Sequence, residues 1–358
     1  MKTKTKPATV KDVAKAADVS FGTVSRVLNG EPNVAAETTE RVLEAIQNLN
    51  YSRNRRQKSA PEGKLLFKKN IAMLLLGMDR SLEKLPSVSQ GIHGAESALA
   101  VAGASVLLSD LPLADRLPGF LLRRQVHGVL AKGALQAQLI SNADSKLISR
   151  LRELPMVWFL GRPQKADWGD VVESNNSAVG SLAAEYLLSR GHKRIAILDP
   201  KPDHVTIGQR NASFIWHATQ NGASVENVFG EAADWSLPLK TVDDVELVDK
   251  LVGRLLKLRN KPTAVFTPAD CIAAMVYRAC ARRGLQIGKD LSLISCNNEL
   301  PLLTGLYPQV TTIDICAEQI GRQAVEQLIW RMNHRDSPNI SVSVEPRLVE
   351  GMSVADLN

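Results

Sequence analysis

The chain has 358 residues, of which 44% are hydrophobic and 23% charged, proportions that exclude disordered or collagen-like behaviour and point to two or three cores of ordinary size. Its 44 Lys and Arg exceed its 37 Asp and Glu by seven, and residues 1–69 hold 14 of the former against 7 of the latter, so the whole excess sits at the amino end of a neutral body. No apolar run approaches the roughly 18 residues of a membrane span, and Cys271, Cys280, Cys296 and Cys316 lack CxxC spacing, which argues for a cytoplasmic protein with reduced, buried thiols and no metal.

A basic stretch on a neutral body is either a phosphate-binding module or a solvated arm, and the helical pattern decides between them. Thr9 offers a hydroxyl cap to a first helix with Asp12 in its positive first turn, and Val13, Ala14 and Ala17 fall on one face. Ser20 caps a second helix in which Val24, Val27 and Leu28 repeat the i, i+3, i+4 spacing, and Asn29-Gly30 ends it. Small Ala14 and Ala17 let the two approach across a short turn, as in a helix-turn-helix. A third helix, about 36–49, adds Val42, Leu43, Ile46 and Leu49 to the same core.

The outward face of the second helix carries Phe21, Gly22, Thr23, Ser25 and Arg26. An arginine there can pair bidentately with guanine O6 and N7 in the major groove, so Arg26 is the first candidate for base readout. Phe21 sits where recognition helices meet bases, while Thr23, Ser25 and Asn29 suit phosphate oxygens. Gly22 presents no side chain and permits close approach either to DNA or to its neighbour helix.

These residues carry a resemblance. Thr9 to Ser20, Thr23-Val-Ser-Arg-Val-Leu-Asn-Gly30, and Glu40-Arg-Val-Leu-Glu-Ala-Ile46 with Tyr51 resemble the headpiece of the lactose-repressor (LacI/GalR) family of bacterial regulators. Asp18 stands where that family has a turn glycine, and aspartate tolerates positive φ better than most residues. Ala35 replaces a capping serine, a loss of about 1 kcal/mol. The resemblance implies that Thr9, Ser20 and Tyr51 join the DNA-binding set.

Residues 53–68 are polar and basic, broken by Pro61 and Gly63, and read as a linker. In the family this stretch forms a minor-groove helix on operator DNA, with a leucine wedge where this chain has Ala60. Alanine is too small to unstack a base step, so the hinge is either a flexible linker or a segment whose Asn54, Arg55 and Arg56 hold phosphates or the groove.

From Asn70 onward, short apolar runs alternate with amphipathic stretches. Strands are expected at 71–76, 104–108, 128–131 and 156–160 with a helix over 90–102, then strands at 194–198, 264–266 and 292–295 with helices over 179–189, 214–221 and 270–283. Alternation of this kind predicts parallel sheets covered on both faces, with a ligand at the carboxyl ends of their strands. Gly191-His-Lys-Arg-Ile-Ala196, Arg210 within Gly-Gln-Arg-Asn-Ala-Ser-Phe, Asp270-Cys-Ile-Ala273 and Pro308-Gln-Val-Thr-Thr-Ile313 extend the resemblance to the family's periplasmic-binding-protein-like core.

The expected architecture is therefore α/β. An all-α helix-turn-helix headpiece (1–52) and hinge (53–68) precede a core (69–358) of two doubly wound parallel-sheet subdomains, about 69–174 plus 312–338 and about 175–311 plus 339–358. The resemblance implies a dimer on a palindromic operator with a small effector, sugar or sugar acid, bound through Arg210, Asp270 and Asn297. Gly161, Ala269 and Asn297 replace acceptor-bearing residues of the family, which removes partners for neutral sugar hydroxyls. Arg210 without carboxylates favours an anionic ligand, whereas Arg210 paired with Asp270 would leave a vestigial pocket. Trp235 is placed to stack on a ligand ring, and Trp158 and Trp216 read as packing residues. No phosphate-loop, dinucleotide, nucleophile-elbow or zinc-protease word occurs, so neither a cofactor nor enzymatic chemistry is expected. The rival from another class is a carbohydrate-binding or carbohydrate-modifying protein with only nonspecific affinity for nucleic acid.

Overall fold

The computed structural model describes residues 9–28, 34–49, 65–135, 138–231, 236–238 and 245–358. The chain divides into two units, Met1–Ala60 and Pro61–Asn358.

The first unit is a trihelical cluster of α1 (Val10–Ala16), α2 (Phe21–Leu28) and α3 (Ala36–Asn48) around buried Val13, Ala14, Ala17, Val24, Val42 and Ala45. Leu43 is not part of this core but half exposed, because one residue along a helix turns the side chain about 100° away from Val42, and Ala45 takes its place. Asp18 holds the turn with φ of +51°, as its short polar side chain allows. The Thr9 hydroxyl and the Thr9 N–H both donate to Asp12 Oδ2 at 2.7 Å, within a capping box at the start of α1. Those donors hold the Asp12 carboxyl below its usual range. Ser20 Oγ does cap α2, accepting from the Thr23 N–H at 3.1 Å. Ala35 provides α3 with no side-chain cap.

The second unit holds two α/β subdomains. The strands of the first are β1 (Asn70–Leu76), β2 (Ser105–Leu111), β3 (Gly128–Gly133), β4 (Met156–Phe159) and β5 (Asp170–Ser174). Those of the second are β6 (Arg194–Asp199), β7 (Ser224–Phe229), β8 (Ala264–Phe266), β9 (Ser292–Cys296) and β10 (Thr311–Asp314), and the chain then returns through β11 (Ser341–Val344) and β12 (Arg347–Val349). Sheet orders are β11-β5-β4-β3-β1-β2 and β12-β10-β9-β8-β6-β7, parallel throughout except for the β10–β12 pair. Central strands such as β3 and β4 are buried along their whole length, the signature of sheets covered on both faces.

The boundaries within the core need correction. Thr311–Asp314 hydrogen-bonds to β9 and so lies in the second sheet, while Ser341–Val344 pairs with Asp170–Ser174 in the first. Arg331 anchors that return, donating to both Asp170 carboxylate oxygens (3.0 and 2.6 Å) and to the carbonyls of His334, Ser337 and Pro338. Trp158 is buried, with its Nε1–H on the Trp168 carbonyl at 3.0 Å, but Trp216 is 66% exposed on the outer face of helix Val205–Gln220 and packs no core. Of the cysteines, all reduced, Cys280 and Cys296 are buried and Cys271 and Cys316 only half-buried. No helix among the described residues is long and apolar enough to cross a membrane.

Candidate functional site

On the trihelical unit, α2 buries Val24 and turns Phe21, Gly22 and Arg26 outward, with Thr23 and Ser25 half-buried beside them. Phe21 is 59% exposed, a large apolar ring held at a helix start with nothing among the described residues to cover it. Arg26 is exposed and makes no hydrogen bond or ion pair with any described residue, so its five donors are available. A Cβ built at Gly22 would meet only Ser20 Oγ, at 3.6 Å. Among the described residues, contact with the neighbouring helix therefore does not require this glycine. Thr9 and Ser20 are exposed, with their hydroxyls already engaged locally. Asn29, Tyr51, Asn54, Arg55, Arg56 and the hinge with Ala60 lie outside the described residues.

In the second unit a cavity of about 190 Å³ lies between the two subdomains, at the carboxyl ends of both sheets. Lys132 is the penultimate residue of β3, Leu160 follows β4, Glu173 is the penultimate residue of β5, Pro268 follows β8, Asn297 follows β9 and Ile315 follows β10.

Arg210 enters this cavity from helix Val205–Gln220 and is 5% exposed. The helix is held close to helix Asn176–Ser189 because Gly180 has no side chain: a Cβ there would lie 2.2 Å from the Arg210 carbonyl oxygen. Arg210 donates through Nε to Asn176 Oδ1 (3.0 Å) and through Nη1 to the Pro268 carbonyl (2.9 Å), Cys296 Sγ (3.2 Å) and Asn297 Oδ1 (2.9 Å). Every one of these acceptors is uncharged. No described carboxylate pairs with it and none of the described residues bonds Nη2. Asn297 reaches its place with φ of +114°, a conformation asparagine tolerates better than larger residues do.

The structure thus brings Arg210 and Asn297 together and leaves Asp270 out. Asp270 is fully buried, does not line the cavity and is not Arg210's partner. It accepts instead from the Glu299 N–H (2.7 Å) and Thr312 Oγ1 (3.0 Å), and burial pushes its carboxyl up to about 7. Trp235 lies outside the described residues.

Four cavity residues escaped the sequence reading. Lys132 is buried, its Nζ donating to the carbonyls of Gly133 and Leu160 at 3.1 Å, and desolvation lowers it to about 8 against the opposing charge of Glu173. Burial raises the Glu173 carboxyl, opposed by Lys132 and Arg162. His204 is driven down to about 3, first by burial and then by the charges of Lys132, Arg210 and Lys201, so it is neutral at pH 7. Glu299 is fully buried and reaches across the cleft, where its Oε1 accepts from Ser87 N–H (3.2 Å) and Oγ (2.7 Å) at the start of helix Pro86–Val101. A signal existed for one of them: Lys132 is the lone charge of an apolar strand run, next to its carboxyl end, and a charge there faces the ligand end of a parallel sheet.

Two family descriptions match the chain, "Bacterial regulatory proteins, lacI family" over residues 9–54 and "Periplasmic binding protein-like domain" over residues 184–354. A protein of Pasteurella multocida (strain Pm70) named HTH-type transcriptional repressor PurR is 30% identical over 361 residues, spanning 97% of this chain and 98% of its own. One of the same name from Mannheimia succiniciproducens is 30% identical over 353 residues, with 97% and 98% covered. Among solved structures, the CelR transcriptional regulator in complex with cellobiose aligns at a TM-score of 0.64 and 22% identity over 97% of this chain and 99% of its own. The lac repressor dimer bound to operator and the anti-inducer ONPF aligns at 0.62 and 23% over 98% and 100%.

Proposed function

The chain belongs to the lacI family of bacterial regulatory proteins, and from that premise we propose that it is a dimeric, sequence-specific transcriptional repressor whose hold on a palindromic operator is set by an anionic small molecule in the cleft. The single observation that carries the DNA half is the unpartnered, outward Arg26 beside exposed Phe21 on a helix short enough for the major groove. Thr23, Ser25 and Asn29 are the candidates for phosphate contacts, Asn54, Arg55 and Arg56 those of the hinge, and Thr9, Ser20 and Tyr51 complete the assignment by resemblance.

A two-fold partner follows from the need to read two half-sites, since one small headpiece covers little DNA. The apolar side of the first subdomain supports it: edge strand β2 exposes Leu108, Val101 is 73% exposed shortly before it, and Phe67, which lies against Gly103, is 60% exposed. The cleft supports an effector with an anionic group, because Arg210 is buried, charged and surrounded by neutral acceptors only. A sugar acid or phosphorylated sugar fits that requirement. Such a ligand bridges the two subdomains and biases the angle between them, which couples the cleft to the spacing of two headpieces.

Selection of duplexes from a random pool by the full chain tests the reading. A two-fold symmetric consensus is expected, and recovery of duplexes with no shared sequence overturns it in favour of a carbohydrate-binding protein with nonspecific nucleic-acid affinity.

A further inference from the structure

Glu299 lines the cleft, is 0% exposed, and has one carboxyl oxygen occupied by Ser87 and the other, Oε2, without any hydrogen-bond partner among the described residues. A buried oxygen left in this way costs the folded state a hydrogen bond it had in water, so it persists where something else fills it. The same cavity holds the opposite charge. Arg210 points its unbonded Nη2 edge at no carboxylate, and Asn297, which grips Nη1, stands two residues before Glu299 in the chain. One cavity therefore offers a buried cation that lacks an anion and a buried carboxyl oxygen that lacks a donor. Much of the remaining wall is aliphatic, with Met78, Leu82, Val88, Leu135, Ile207 and Ile272, and Lys132, Glu173 and His204 line it as well.

We propose that the effector is a zwitterion, one small molecule whose anionic group meets Arg210 and whose ammonium donates to Glu299 Oε2. This inference rests on the cleft being an effector site. A neutral sugar matches neither charge. A simple monoanion satisfies Arg210 and leaves Glu299 without its donor. An ammonium on a desolvated carboxylate forms a charge-assisted hydrogen bond, roughly twice as strong as a neutral one. The two natural sources of such chemistry are aliphatic amino acids and amino-sugar acids, and the wall favours the former.

The test is calorimetric titration of the full chain with four probe sets: aliphatic α- and ω-amino acids, their deaminated monocarboxylates, neutral hexoses and amino-sugar acids. At least one zwitterion is expected to bind about tenfold or more tightly than its deaminated counterpart. Glu299→Gln, which keeps the shape of the side chain, is expected to erase that advantage, so that the zwitterion binds no more tightly than its deaminated counterpart. Ser87→Ala serves as a second variant, weakening the zwitterion selectively through Glu299 should the first fail to fold. If amino acids bind best the aliphatic source is right, and if amino-sugar acids bind best the carbohydrate source is. A neutral hexose or monocarboxylate binding as tightly as every zwitterion overturns the inference, as does the failure of all zwitterions to bind. Duplex selectivity measured on the same preparation separates the two readings: retained selectivity with no zwitterion preference overturns this inference alone, and absent selectivity overturns the regulatory reading whatever the calorimetry shows.

Discussion

Alanine at position 180 sets a local gain against a tertiary loss. In a helix interior, alanine is favoured over glycine by about 1 kcal/mol. The added Cβ, however, would sit 2.2 Å from the Arg210 carbonyl oxygen and 2.8 Å from the Phe214 nitrogen, both backbone atoms that no rotamer change can move. Ordinary contact begins near 3.4 Å, so helix Val205–Gln220 must retreat by about 1.2 Å. Overpacking of this kind costs about 1–3 kcal/mol, and the retreat also loosens the close packing of Phe214, stacked on Phe266 at 4.7 Å. The tertiary term wins, for a net loss of about 1–2 kcal/mol. Arg210 moves with its helix, stretching its bonds of 2.9 Å to Pro268 and Asn297 beyond hydrogen-bond range. Urea denaturation of Gly180→Ala should show a lowered midpoint, and titration of the cleft ligand a loss of about tenfold in affinity. Gly208→Ala on the same helix, whose Cβ meets nothing nearer than 3.8 Å, should instead raise stability by about 0.5–1 kcal/mol. If both substitutions stabilise the protein alike, the close helix contact does not position Arg210.

Further outcomes follow from the same geometry. Arg26→Ala should reduce duplex binding by about 1–3 kcal/mol and relax preference at one base pair of each half-site, as read by gel shift on single-base variants of the selected duplex; unchanged preference would remove Arg26 from base readout. Arg331→Met strands the buried Asp170 carboxylate and should cost about 3–5 kcal/mol in denaturant melts, with a loss below about 1 kcal/mol contradicting its anchoring of the β11 return. Ser20→Ala removes the cap on α2 and should cost the headpiece about 1 kcal/mol in thermal melts, and no loss would show that the cap contributes nothing. Asp270 has its pKa raised by burial to about 7, so the folded state holds a proton that the unfolded chain releases near 4; its contribution to stability is full below about pH 4 and declines as pH rises to about 7. Unfolding free energies of Asp270→Asn between these limits should lack that slope, and an unaltered slope would refute the assignment.

How far the fold could be read from the sequence depended on how locally each part is determined. The three headpiece helices were legible because caps, small residues and i, i+4 spacing all lie within a few positions of each other, and Asp18 took the φ expected of a residue replacing a turn glycine. Buried strands such as β3 and β8 announced themselves as apolar runs. Strands β5, β7, β10, β11 and β12 did not: Ser224–Phe229 and Ser341–Val344, for example, are edge segments with polar, partly exposed residues, and their strand state is imposed by neighbours in the sheet. The crossover points near 314 and 341 were misplaced for the same reason, since only long-range pairing assigns those strands to a sheet. Within the cleft, Arg210 and Asn297 were found by resemblance, whereas Glu299 depends on Ser87, which is 212 residues away in the chain, and no local pattern reports such a bridge. Asp270 was misassigned because an acid opening a helix next to cavity-lining residues looks the same in sequence whether it faces the ligand or supports a backbone N–H beneath it.

Competition binding of the full chain to a labelled symmetric duplex taken from the selected pool, against a scrambled duplex of the same length and composition at physiological salt, puts the regulatory function to a single number. A preference of about a thousandfold or more for the symmetric duplex, collapsing in Arg26→Ala, is the expected result. Equal affinity for the two duplexes, with steep salt dependence for both, would mean that the basic headpiece only neutralises phosphates and that this protein does not read DNA sequence.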